Sequence, residues 1–198
     1  MNLQETIRRV LKEETEGIQP FLDRILLTYP QTENYIDKIQ SFIEKSNCKK
    51  IEVSKFKHPA MGLALHNGVL FNEMIFSMPL SRFLFIVFHE IAHQYQYKKY
   101  GDEKMYEFYL GDIPVQEAAK VMKEIEIIAD EFALRKTREF VKLGLIDKVP
   151  SPAGIYKYAH LSHFENLITQ IKNILEEDGV MDYDGIVETF YNMVKSNT

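Results

Sequence analysis

The sequence contains a single cysteine, which excludes an internal disulfide and favours a reducing, cytoplasmic compartment. Cys48, between Asn47 and Lys49, reads as a loop or helix-end residue and not as a nucleophile or ligand. No apolar run approaches the roughly 18 residues that a membrane-spanning helix needs. The longest, around Phe83 to Phe88, is far shorter, so no membrane partner is expected. The opening Met1-Asn2-Leu3-Gln4-Glu5 has neither a basic region nor an apolar core, so no secretory signal is expected. An excess of one charge is missing as well: 29 acidic against 24 basic residues leave a net charge of −5, with the two signs mixed along the chain. The lysine pairs at 49–50 and 98–99 are too short for a nucleic-acid track and read as solvated faces. Repeats, low-complexity tracts and long linkers are also lacking, which points to one domain.

What the chain does have is His89-Glu90-Ile91-Ala92-His93. The run Phe83-Leu84-Phe85-Ile86-Val87-Phe88 before it is apolar on every side, as in a buried helix. Positions i and i+4 of a helix stand on the same face, so the two imidazoles can converge on one metal ion. Polar side chains emerging from a buried helix need partners, and a metal supplies them. Glu90, beside that face, can reach a metal-bound water without occupying a coordination position, as a general base must.

A catalytic zinc site usually takes a third protein ligand. Glu126 is the best candidate, within a segment whose apolar positions Ala118, Val121, Met122, Ile125, Ile128, Ala129, Phe132 and Ala133 recur at helical spacing. This predicts a helix packed along that face. Asp130 follows Glu126 by four positions and shares its side, whereas the rival Glu131 is rotated away.

HExxH at His89 to His93 followed by ExxAD at Glu126 to Asp130 resembles the gluzincin metallopeptidases. The resemblance spans roughly residues 60 to 135 and implies a Zn(2+) ion held by His89, His93 and Glu126, with Glu90 as base. It makes Asp130 the carboxylate that orients a ligand histidine, in keeping with the usual second hydrogen bond of ligating imidazoles. The longer pattern ExxADxxA, ending at Ala133, is similar to the third-ligand helix of minimal-core zincins, where alanines allow close approach. The SprT-like zincins also follow HExxH with polar and aromatic residues, as at Gln94, Tyr95, Gln96 and Tyr97. They take a third histidine soon after the motif, however, and no histidine lies between His93 and His160 here.

The fold class expected is α+β and predominantly helical: a minimal zincin core over about 50–145, with helical additions at 1–48 and 152–196. Helices are predicted at 3–14, from Pro20 to Leu27 before Pro30, and from Thr32 to Lys45. Ile51 to Phe56 alternates as a strand. Met61 to Leu65 and Val69 to Phe71 flank Asn67-Gly68, the strongest hairpin signal, although which of these strands is the edge stays open. An edge strand beside the site would let an extended peptide add to it. Pro79 opens the HExxH helix and Gly101 ends it. The Glu126 helix runs from Ile113 to Leu143, with Pro114 in its first turn and Gly144 after its end, and its length leaves room for a kink. Two helices follow, from Ala153 to Glu177 and from Tyr183 to Val194.

The resemblance implies hydrolysis of peptide bonds in peptide or protein substrates, and the mixed charge pattern leaves no nucleic-acid partner expected. An oxyanion donor would also be wanted. Tyr156, Tyr158, His160 and His163 read first as packing residues of an amphipathic helix; among them His160 or His163 is the choice for such a donor. The alternative is a zincin-fold regulatory or protein-binding module that keeps zinc without general peptidase activity.

Overall fold

The computed structural model describes residues 17–55, 61–66, 68–107, 113–150 and 161–179, with 185, 186 and 189. Its architecture is α+β and mostly helical around one small sheet. Two helices come first, α1 (Gln19–Thr28) and α2 (Ile36–Lys45), joined by a 3₁₀ segment at Pro30–Tyr35. Thr32, expected to open the second of these helices, lies in that tighter segment, where its hydroxyl donates to the Tyr29 carbonyl. The helix predicted at 3–14 lies outside the described residues.

Strands β1 (Lys50–Ser54), β2 (Gly62–Leu65) and β3 (Gly68–Asn72) form a sheet of order β1-β3-β2. β2 and β3 are the predicted antiparallel hairpin, with Leu65 opposite Gly68; Asn67 lies outside the described residues. β1 pairs with β3 in parallel, Ile51 opposite Val69. The central strand accordingly carries the uninterrupted apolar run Val69-Leu70-Phe71, all buried, as suits a strand covered on both faces. β2 is therefore an edge, which settles the point left open by the hairpin signal.

After a 3₁₀ turn at Glu73–Ser77 comes α3 (Leu80–Tyr100), within the predicted bounds. The carbonyl of Pro79 accepts from the amides of Arg82 and Phe83, and the Gly101 amide closes the other end on Tyr97. The residues from Phe83 to Phe88 are all buried. Phe83 meets Phe21 and Tyr29 of the first helical layer, while Phe88 stacks on Phe140 with ring centroids 5.6 Å apart. Lys98 and Lys99 occupy the last turn, where the helix dipole favours positive charge.

A short α4 (Asp102–Tyr106) leads to α5 (Val115–Lys142), which is one continuous helix without a break. Ala118, Ala119, Ala129 and Ala133 are fully buried along it. Val121 and Ile128, expected on the packed face, are instead 39% and 49% exposed. The buried stripe is rotated toward Ala119, Asp130 and Thr137, so polar and small residues enter the interior and two large apolar ones leave it. α6 (Leu161–Glu177) packs against α5 through Ile168, which clusters with Ala118, and lies within the predicted 153–177 helix, whose start is outside the described residues. Of the helix predicted from Tyr183 to Val194, only residues 185, 186 and 189 are described, and they are helical. Cys48 is buried after the end of α2, its thiol donating to the Lys50 carbonyl and pushed up to about 12 by burial. No helix among the described residues is long and apolar enough to cross a membrane.

The end of α5 makes a specific prediction. The Leu145 amide donates to Phe140 and the Gly144 amide to Val141, the paired bonds of a Schellman motif. Gly144 has φ of 76° with nothing within 4 Å of a hypothetical Cβ, so a substitution would meet only backbone strain. Gly144→Ala should lower the unfolding free energy by about 1–2 kcal/mol, the usual cost of a left-handed L-residue. Urea denaturation would show this as a lower midpoint with an unchanged slope; an unmoved midpoint would refute the reading.

Candidate metal centre

α3 and α5 face each other where His89, His93 and Glu126 meet. His89 and His93, one turn apart, set their Nε2 atoms 3.2 Å from each other. Glu126 reaches across from α5, Oε2 lying 3.2 Å from His89 Nε2 and Oε1 3.5 Å from His93 Nε2. One ligand atom from each of the three residues falls within 4.8 Å of the others, a set that could hold a metal ion.

The opposite nitrogens show which atoms face inward as lone pairs. His89 Nδ1 lies 2.9 Å from Asp130 Oδ1, and an ionised carboxylate only accepts, so Nδ1 carries the proton. His93 Nδ1 lies 2.8 Å from Gln96 Oε1. The Gln96 amide nitrogen is committed to the Ile125 carbonyl at 2.9 Å, so its oxygen must face the imidazole and accept. In its neutral form each ring therefore turns a lone pair at Nε2 toward the Glu126 carboxylate. Three acceptors then converge, a cluster that a cation could complete.

In the metal-free protein a proton takes that role. Burial opposes charge on His89, but hydrogen bonds to Asp130 and Glu126 and the charges of Glu126 and Glu90 outweigh it, raising its pKa well above the ordinary value. Burial likewise opposes ionisation of Glu126, yet the neighbouring His93 charge and the His89 hydrogen bond and charge bring it down to about 2. The site is thus organised around positive charge.

Glu90 sits apart from this triangle and is almost fully buried. Burial raises its pKa; the His89 and His93 charges and the backbone amide of Ala64 in β2 counteract part of that rise. β2 also meets Glu90 at Gly62, where a Cβ would lie 2.5 Å from Glu90 Cγ and 2.7 Å from Oε1. Gln94 fastens the same hairpin to α3 by donating to the carbonyls of Leu65 and Gly68, both at 2.8 Å. Tyr97, one turn beyond His93, directs its hydroxyl to the Ala64 carbonyl at 3.4 Å and pairs with the Tyr106 hydroxyl.

The residues singled out in sequence thus divide clearly. His89, His93, Glu126 and Asp130 come together, Glu90 lies beside them, and Glu131 points to solvent. His163 stands exposed in the first turn of α6, its ring edge-on to Phe164 at 5.6 Å; His160, Tyr156 and Tyr158 lie outside the described residues. Gln96, Gly62 and Ala64 were not anticipated. Gln96 carries a faint signal, a polar residue three positions after a ligand histidine, whereas the roles of Gly62 and Ala64 arise only from tertiary contact. The chain matches no protein-family model, no curated protein and no solved structure.

Two outcomes follow, with added zinc as the probe. His93→Ala should abolish tight binding, whereas Asp130→Ala should weaken it by about 10 to 100-fold without abolishing it. Chelator competition measures both, and equal losses in the two variants would contradict the division into ligand and orienting group. Zinc must also displace the His89 proton, so apparent affinity should rise with pH and keep rising well past pH 6.5, the midpoint of an ordinary histidine. Titration calorimetry in buffers of differing pH checks the sign; an affinity that falls with pH would exclude this coupling.

Proposed function

We propose that the chain is a gluzincin-like zinc metallopeptidase that hydrolyses peptide bonds, with His89, His93 and Glu126 as ligands and Glu90 as general base. The observation that carries the proposal is the convergence of two Nε2 atoms and a carboxylate, each histidine backed at Nδ1 by its own acceptor. The spacings of 3.2 and 3.5 Å between these side chains are short enough for one ion to touch all three residues, and two imidazoles with a carboxylate are a donor set that would suit zinc. Zinc bound there would acidify a water molecule and polarise the scissile carbonyl.

The remaining chemistry falls to the chain. Glu90 accepts the proton of the attacking water and passes it to the leaving amine. Its raised pKa suits a group that must hold that proton between the two transfers, since burial brings a carboxyl toward neutral pH. β2 is an edge of the sheet and lies beside Glu90, the kind of strand to which an extended peptide can add. The proposal includes a cytoplasmic setting, supported by the lone, buried Cys48 thiol.

Glu90→Gln tests the assignment, because it preserves shape while removing the base. The variant should retain stoichiometric zinc and lose at least about 100-fold in turnover of any peptide the native protein cleaves. Zinc loss on substitution would make Glu90 a ligand, and undiminished cleavage would assign the proton transfer to another group. If the zinc-loaded native protein cleaves nothing in a mixed peptide library, a zinc-binding regulatory module replaces the peptidase.

A further inference from the structure

We propose that Gln96 is a positioning residue for His93: its amide oxygen, turned toward the imidazole by the backbone that precedes Glu126, fixes the orientation of that ring. The proposal rests on the metal-centre reading above but not on peptidase activity. Gln96 lies in α3, three residues after His93, and its polar side chain is almost completely buried. Its oxygen accepts from His93 Nδ1 at 2.8 Å and its nitrogen donates to the Ile125 carbonyl at 2.9 Å. Ile125 directly precedes Glu126. One amide therefore spans the distance between one ligand and the backbone bearing another.

The chemistry of the amide makes this linkage directional. A helical carbonyl has a second lone pair, so Ile125 can receive Gln96 without giving up its place in α5. Because Ile125 accepts only, it determines which end of the Gln96 amide turns toward His93. The imidazole then meets an oxygen and must donate from Nδ1, leaving Nε2 as the ligand atom. A buried glutamine satisfied at both ends is also costly to misplace, since each broken bond would strand a polar group out of water. His89 is held differently: its acceptor, Asp130, is an anion on α5 itself. The two histidines thus have unequal support, a carboxylate behind one and a neutral amide behind the other.

Gln96→Met retains length and flexibility but removes both hydrogen bonds, whereas Gln96→Glu keeps an acceptor for His93 and abandons the donation to Ile125. Zinc affinity by chelator competition and the d–d absorption of the cobalt(II)-loaded protein provide two readouts that a role in folding alone would leave unchanged. Unfolding of the metal-free proteins monitors the fold separately. Gln96→Met should bind zinc about 10 to 100-fold more weakly, the usual effect of losing the support of a ligand, with an altered cobalt spectrum. Gln96→Glu should recover at least tenfold of that loss, because the imidazole regains its acceptor.

Native affinity and spectrum in Gln96→Met, or a Gln96→Glu protein that binds no better than Gln96→Met, would overturn the proposal. Should Gln96→Met not fold, Gln96→Glu decides alone: tight binding with a native-like cobalt spectrum supports the role, and a loss of about 100-fold refutes it. Failure of the native chain to bind zinc would instead overturn the metal centre itself, before any variant is compared.

Discussion

Helices α3 and α5 come close enough for the Glu126 carboxylate on one to lie 3.2 and 3.5 Å from the two imidazoles on the other. Alanine makes that approach possible. Ala129 and Ala133 are fully buried on α5 and flank Asp130, so the helix surface beside the ligands is low where larger side chains would hold the backbones apart. Farther along, the same two helices are clamped by Phe88 stacked on Phe140, with Phe42 edge-on to both. Aromatic packing of this kind resists displacement because the interior is close-packed and a small shift forfeits many contacts at once. The rigid apolar end thus holds the polar end in register.

That arrangement explains why so many polar groups are tolerated inside. Glu90, His93, Gln94, Gln96 and Asp130 are all buried, and each unsatisfied group would cost on the order of 1–3 kcal/mol. They are satisfied across element boundaries: Asp130 serves α3 from α5, Gln96 serves α5 from α3, and Gln94 holds the β2–β3 hairpin. Each bond that satisfies a buried group therefore also fixes the position of a neighbouring element. At the convergence of His89, His93 and Glu126 acceptors meet one another, which is why positive charge is favoured there.

Much of this was legible in the sequence, and the parts that were not share a physical cause. The limits of α3 follow from Pro79 and Gly101, because local backbone chemistry decides them. A hairpin forms where Asn67-Gly68 predicted one, but Gly68 pairs with Leu65 as the first residue of β3 and has no positive φ, so it is not the turn residue that signal assumed. Glu126 and Asp130 were legible because helical spacing places them on one side. The parallel pairing of β1 with β3 was not, since nothing local records which strand a neighbour will join. Periodicity located the apolar stripe of α5 but missed its rotation: Val121 and Ile128 yield their places to Ala119, Asp130 and Thr137, because tertiary contact and not spacing decides which side is covered. Gln96 was overlooked because its meaning lies in Ile125, on a different helix.

The hairpin carries the last structural constraint, because it bounds the cavity in which Glu90 resides. Ala64 offers its amide to that carboxylate, and Gly62 leaves the space that the carboxylate occupies. A Cβ at position 62 would fall 2.5 Å from Glu90 Cγ, well inside van der Waals contact, and the displaced group is a buried side chain with little room to retreat. The backbone of β2 would otherwise be a bare sheet edge, yet here one of its amides is directed at the side chain that lies next to His89. An edge strand and a buried acid thus define each other's positions: the absence of a side chain at Gly62 admits Glu90, and Glu90 in turn takes up an amide that an edge leaves unpaired.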